Sequence, residues 1–240
     1  MAEEQDAKRR KLDEQQEEVK EEEAPVVELY SYWRSSCSWR VRIALALKGI
    51  EYKYHDVHLV EGKQKADDYV AINPMKQVPA LIVDGVALTQ SVAILEFLDE
   101  RFPEPALLPK DFTLRAAVRA IVETINSGIQ PIQNFSVLGR IGALGGDKVA
   151  WAKETIDAGF HALEQQLASV PGRSDEDTCC VGSAVTLADI ALVPQVYNAK
   201  RFEVDMDQFP LISKVHAHLE TLEAFKKAHP SVQPDAPADA

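Results

Sequence analysis

Apolar residues gather in short runs over the first part of the chain and recur at helical spacing over the rest. Val26, Val27, Leu29 and Tyr30 make a compact β-branched and aromatic run, which reads as a buried strand. From Trp39 the period changes: Trp39, Ile43, Ala46, Leu47 and Ile50 fall on one side of a helix, and Gly49 is placed to end it. Residues 52–59 and 80–83 read as further strands, the latter following Pro79. Asp84-Gly85 is a two-residue hairpin signal leading into Val86-Ala87-Leu88. Ser91 opens a helix that carries Val92, Ile94, Leu95, Leu98 and Phe102.

Strand, helix, strand, hairpin and helix form a thioredoxin-like α/β arrangement, expected over residues 26–104. Pro103, Pro105 and Pro109 mark a linker. Beyond it the pattern is helical only, so residues 111–228 are expected to be an all-α domain. Leu114, Val118, Ile121, Ile125 and Ile129 predict one long amphipathic helix, kinked near Gly128 and Pro131. Residues 139–146 read as a glycine-rich break, 151–167 as a second helix and 171–177 as a polar loop. Thr186 and Asp189 form a capping box, with Asp in place of Glu, that opens an apolar helix; this is a folding device without chemistry. Residues 211–225 carry the last helices. The Pro-, Ala- and Asp-rich tail, 229–240, is expected to lie over the surface or be disordered.

Composition narrows the function. Net charge is −12 over 240 residues, which argues against nucleic acid or an anionic membrane as the main partner. No apolar run reaches membrane-spanning length, and the N-terminus lacks the apolar core of a signal peptide. Three cysteines, Cys37, Cys179 and Cys180, fit a reducing compartment better than a disulfide framework. A cytoplasmic location is therefore expected. Residues 1–24 are almost all charged, Gln or Ala and bury too little to fold alone. Lys8-Arg9-Arg10-Lys11 within them could serve nuclear import, though a solvated tail is the preferred reading. His55 and His58 lie three apart in a strand pattern and face opposite ways; no familiar metal spacing is completed, and no metal is expected.

The chemistry gathers where the first strand meets the first helix. Arg34-Ser35-Ser36-Cys37-Ser38 sets hydroxyls and a thiol at a helix N-terminus, which favours anions. Arg40 sits in the first turn, against the dipole's preference, which suggests a negative group nearby. Cys-x-x-Cys is absent, since Arg34 and Arg40 occupy the positions three away from Cys37; dithiol redox chemistry is not expected. A capping role for Ser35 or Ser36 is the plainer alternative.

This turn closely resembles the Ser-Ser-Cys signature of zeta-class glutathione transferases, the maleylacetoacetate isomerases. The likeness continues through Asn73-Pro74-Met75-Lys76-Gln77-Val78-Pro79, Gln90-Ser91, Gly128 to Asn134, Asp189 to Gln195, and Gln233-Pro234-Asp235. It implies glutathione as cofactor and isomerisation of maleylacetoacetate in tyrosine and phenylalanine breakdown, with transfer to small α-halo acids. It makes Ser35 the hydroxyl facing the thiolate, with Ser36 and Cys37 beside it and Ser38, Trp39 and Arg40 following. It implies a cis Val78–Pro79 bond that frees the Val78 backbone to pair with glutathione, and a γ-glutamyl carboxylate at Gln90-Ser91. It puts Gln64 and Lys65 near the glycyl end. Gln130, Asn134, Phe135 and Ser136 are expected at the domain boundary, near a partner subunit's glutathione. Arg34, Arg40 and Arg201 are expected around an acidic substrate. A homodimer is expected from the resemblance and from the long apolar helix. Two other classes stay open: a Cys37-based thiol transferase or dehydroascorbate-type reductase, and a glutathione-binding module without catalysis.

Overall fold

The computed structural model describes residues 25–239; residues 1–24, with the basic cluster 8–11, lie outside it. Four strands form one sheet in the order β2-β1-β3-β4: β1 (Val27–Ser31), β2 (Lys53–Asp56), β3 (Ala80–Val83) and β4 (Val86–Thr89). β1 runs parallel to β2 and antiparallel to β3, with Leu29 opposite Tyr54 and Leu81. A parallel pair needs a crossover, supplied by α1 (Ser36–Leu47). The hairpin at Asp84-Gly85 puts both residues at positive φ, as its turn type requires. β2 is shorter than the apolar pattern predicts, because residues 57–59 leave the ladder for a turn.

α2 (Asp67–Ile72) leads to the Val78–Pro79 peptide, which is cis, and α3 (Ser91–Arg101) follows β4. Lys48, at the end of α1, donates to Asp99 Oδ1 (2.8 Å) and to the carbonyls of Phe102 (2.6 Å) and Pro105 (2.7 Å). These bonds fix the linker against the first domain. The helical part comprises α4 (Phe112–Glu123), α5 (Phe135–Ala143), α6 (Lys148–Ala168), α7 (Leu187–Arg201), α8 (Pro210–Leu219) and α9 (Glu223–Ala228). One core runs through both parts: Leu29, Val41, Ile43 and Leu95 join Val118, Ile121, Phe160 and Leu192. α1 packs on α3, α7 and α9, so burial sets the placement of the two domains.

Some of the expectations hold and others need correction. The long helix runs on to Ile129, departing from α geometry in the segment that contains Gly128, and ends before Pro131. α4 stops at Glu123 and a π-helical segment, Thr124–Ile129, follows. Thr124 Oγ1 and Ser127 Oγ donate to the carbonyls four residues back, at 2.9 and 2.7 Å, a competition that distorts α-helical bonding. The apolar stripe of α4 faces the chain's own core. Gly139 and Gly142 lie inside α5 rather than in a break. Asn134 caps that helix through Phe135 N–H (2.7 Å), and the Leu138–Ile141 side outweighs a glycine cost of ~1 kcal/mol each. Of the two expectations for the C-terminal tail, the first holds: it lies over the surface, with Gln233 buried and Asp235 hydrogen-bonded into the first domain. The Thr186–Asp189 capping box forms as expected, with Asp189 also accepting the Cys180 N–H at 2.7 Å.

Candidate active site

The turn between β1 and α1 closes with the Ser35 N–H donating to the Tyr32 carbonyl at 2.9 Å. Ser35 then caps α1: its Oγ accepts from the Ser38 N–H at 3.2 Å. A hydroxyl has two lone pairs and one proton. The cap uses a lone pair, so the O–H remains available to donate, and the capping and catalytic readings of Ser35 are compatible. Ser36 and Cys37 occupy the first helical positions, where N–H groups have no intrahelical acceptor, and no acidic side chain sits in that turn.

Ser35 and Cys37 open onto a cleft of about 430 Å³. Val78, Pro79, Gln90, Ser91, Gln64 and Lys65 line it from the first domain. Gln130, Asn134, Phe135 and Ser136 close it from the helical domain. These four thus line their own chain's cleft, where the resemblance set them near a partner's. Gln64, in a short 3₁₀ turn, donates to the Leu59 carbonyl at 3.3 Å, and its Oε1 is buried without a partner among the described residues. Asn73 shapes the loop to the cis proline by donating to the Gln77 carbonyl (2.6 Å) and accepting the Met75 N–H (3.0 Å).

Ser91 is not a cap. It is the first residue of α3, whose N-terminus has no side-chain cap. Gln90 before it is held at φ 69°, a conformation that costs a non-glycine residue ~1–3 kcal/mol and tends to persist at ligand sites. The Ser91 hydroxyl instead accepts from Arg40 Nη1 at 3.2 Å, and the same nitrogen donates to Asn126 Oδ1 at 2.8 Å. Arg40 is 0% exposed, and its Nε and Nη2 have no partner among the described residues. A buried cation without a countercharge is costly. Together with the uncapped helix end it fits a carboxylate held at Ser91, so this end of the cleft suits glutathione.

A second cavity, of about 110 Å³, adjoins the first at Ser35. Arg34 and Ser36 enter it from the turn, and Arg201 comes from the end of α7. Each guanidinium stands over the ring of its neighbour, Arg34 over Trp33 at 5.3 Å and Arg201 over Phe202 at 4.9 Å. Burial, and then the nearby Arg34, lower the pKa of Arg201 below the ordinary arginine value. Two facing cations without a carboxylate partner among the described residues form an anion site.

The arrangement corrects three expectations. Arg40 lines neither cavity; it lies beneath Ser91, one helical turn in from the thiol end, and cannot gather substrate with Arg34 and Arg201. Ser38 and Trp39 also face away. Ser38 is 0% exposed and Trp39 packs edge-on against Tyr197 and His229 in the core. Sequence reasoning missed Asn126, Lys76, Tyr32 and Asn198, all of which line the cavities. Lys76 lies inside a quoted motif, whereas Asn126 is brought in by the π-helical segment, which no local pattern announces. Among the described residues no group of three or more His, Cys, Asp or Glu could hold a metal. His55 instead bonds Glu28 at 2.6 Å and stacks on Tyr30. No described helix is long and apolar enough to cross a membrane.

A thioredoxin-like sheet with a hydroxyl turn, a cis-proline wall and an uncapped helix over one cleft, roofed by helices, defines a glutathione-dependent class of two-domain protein. Residues 25–100 match the glutathione S-transferase N-terminal domain and residues 140–223 its C-terminal domain, and the chain belongs to the glutathione S-transferase family. Within it the chain stands with the zeta class. It is 51% identical over 213 residues to the maleylacetoacetate isomerase of Mus musculus, covering 88% of this chain and 95% of the relative. A bacterial zeta-class maleyl pyruvate isomerase structure superposes with a TM-score of 0.84 at 43% identity, covering 88% of this chain and all of that one. A maleylacetoacetate isomerase from Anaeromyxobacter dehalogenans with bound glutathione superposes with a TM-score of 0.79 at 47% identity, covering 89% and 99%.

Proposed function

We propose that this chain catalyses the glutathione-dependent cis–trans isomerisation of maleylacetoacetate to fumarylacetoacetate, a step of tyrosine and phenylalanine breakdown. The observation that carries the reading is the meeting of Arg34 and Arg201, from two domains, in a cavity sharing Ser35 with the larger cleft. When bound, glutathione supplies a thiolate for reversible addition to the activated double bond, which can rotate as a single bond before the thiol is eliminated unchanged.

The chain's residues hold and orient. The Ser35 O–H and the α1 N-terminus stabilise negative charge on sulfur. A thiol of pKa near 8.5 needs roughly 2.7 kcal/mol of such preference to titrate ~2 units lower. A charge-directed hydrogen bond and a helix end together are of that size. The Val78 backbone and the α3 N-terminus with Arg40 beneath it hold the peptide and its γ-glutamyl carboxylate, and Gln64 with Lys65 the glycyl end. Arg34 and Arg201 take the substrate's carboxylates, against a protein of net charge −12, because only a local positive cluster can collect a dianion there. Small α-halo acids would use the same carboxylate site.

A homodimer in the cytoplasm belongs to the same proposal. Val86 (62% exposed) and Phe112 (86%) are apolar surface available to a second copy, and sedimentation showing only monomer at micromolar concentration would count against it. A thiol transferase based on Cys37 is the second reading. It is favoured by one observation: Cys37 alone among the three cysteines lines the cleft, while Cys179 and Cys180 are buried. The deciding measurement is turnover of maleylacetoacetate with and without glutathione. Isomerisation only in its presence, without net consumption, is expected. Absence of turnover, or turnover independent of glutathione, would overturn the reading.

A further inference from the structure

The turn that carries Arg34 and Ser35 is closed by a single bond of its own, from Ser35 N–H to the Tyr32 carbonyl. Its two central residues are Trp33 and Arg34, and a turn of this kind does not itself satisfy the N–H and C=O of its first central residue. Here both groups of Trp33 are held from outside. The Trp33 N–H donates to Asp235 Oδ2 at 2.9 Å, and the Trp33 carbonyl accepts from Arg42 Nη2 at 2.9 Å. Asp235 arrives from the C-terminal tail, and its other oxygen accepts the Tyr54 O–H at 2.6 Å from β2. Arg42 is 1% exposed; its Nε reaches the Ala228 carbonyl at the end of α9 (3.2 Å), and Nη1 reaches Ser31 Oγ (3.1 Å). Gln233 holds the intervening tail by donating to the carbonyls of Lys227 and His229. The segment from α9 to Asp235 is thus a strap across the back of the turn.

We propose that Asp235 is a positioning residue for the catalytic turn, acting through the Trp33 peptide to aim the Ser35 hydroxyl into the cleft and the Arg34 guanidinium into the adjoining cavity. The inference rests on the glutathione-site reading of Ser35. A turn freed at Trp33 can pivot on Ser31 and α1. A shift of about 1 Å in a group that must meet a developing charge costs up to ~100-fold in rate. Asp235 touches neither cavity, so its influence passes entirely through the backbone.

The test uses full-length Asp235→Ala, Asp235→Asn and Tyr54→Phe. Bound glutathione is titrated by the ultraviolet absorbance of its thiolate, and kcat and KM are measured separately. Asp235→Ala should raise the pH midpoint of the bound thiol and lower kcat about 10-fold, with glutathione KM changed less than ~3-fold. Asp235→Asn keeps an acceptor for the Trp33 N–H and should restore most of both. Tyr54→Phe removes the other partner of Asp235 and should lower the melting temperature while leaving the thiol titration in place. If Asp235→Ala does not fold, Asp235→Ser, whose shorter side chain withdraws the acceptor, carries the same readouts. An unchanged titration and kcat in Asp235→Ala, or an equal shift in Tyr54→Phe, would overturn the proposal. The titration needs no dicarboxylate, so a wild-type protein that lowers the thiol midpoint but does not isomerise would reject the isomerase reading and leave this one standing.

Discussion

The cleft and the arginine cavity share Ser35 but, under the proposed function, would hold their ligands by different means. In the proposed reading the cleft relies mainly on backbone ends, the first turns of α1 and α3 and the peptide before Pro79, with Gln64 and Lys65 added at the glycyl end. Their charge comes from fixed dipoles, from Arg40, which is wholly buried, and from Lys65 and Lys76 in the lining. In the cavity the groups are two long side chains at the ends of separate elements, steadied by stacking on Trp33 and Phe202. Backbone groups are already ordered and recognise the constant peptide. Guanidinium groups pay side-chain entropy on binding but offer a planar fork that distinguishes carboxylates. On the proposed reading, one site would be preorganised for a fixed partner, and the other would be a charge pair for a variable acid.

Ser35→Ala should disturb both halves and gives the largest effect. Losing one charge-directed hydrogen bond to the thiolate costs ~1.5–3 kcal/mol, or about 10- to 150-fold in turnover. The lost cap should lower stability by ~1 kcal/mol as well, so rates must be taken well below the melting transition. Wild-type turnover in this variant would move the thiolate role to Ser36.

Arg201→Ala, and nearly as much Arg201→Lys, should raise KM for the dicarboxylate about 10-fold, since a lysine cannot reproduce a bidentate contact. Glutathione affinity should hardly change. If glutathione binding falls instead, the two halves are not separable as described.

Arg40→Met should do the reverse. It replaces a buried cation that lacks a countercharge among the described residues, so unliganded stability should change by less than ~1 kcal/mol or rise. Glutathione KM should increase about 10-fold, for loss of support beneath the γ-glutamyl carboxylate. A matching loss of dicarboxylate affinity with glutathione saturating would return Arg40 to the substrate half.

The smallest effect is expected for Cys37→Ala, below about 3-fold in isomerisation, because the added thiol already supplies the nucleophile. A loss as deep as that of Ser35→Ala would favour the thiol-transferase reading.

The sequence alone determined whatever depends on a few neighbouring residues. The change of period at Trp39, the Asp84-Gly85 hairpin, the hydroxyl turn at the head of α1 and the Thr186–Asp189 box could all be read locally, because caps, turns and helical faces are set within about four residues. The tertiary structure decided which side chain faces what. α1 is covered on nearly every side: Ser38, Arg40 and Arg42 are as buried as Val41 and Ile43. A helix without a solvent face has no polar stripe by which to sort its arginines. Arg40 was therefore placed by α3 and the π-helical segment, and Arg42 by the strap from α9. Arg34 met Arg201 only because α1 and α7 share one core. Such pairings depend on contacts between residues far apart in the chain, whose geometry no local period encodes.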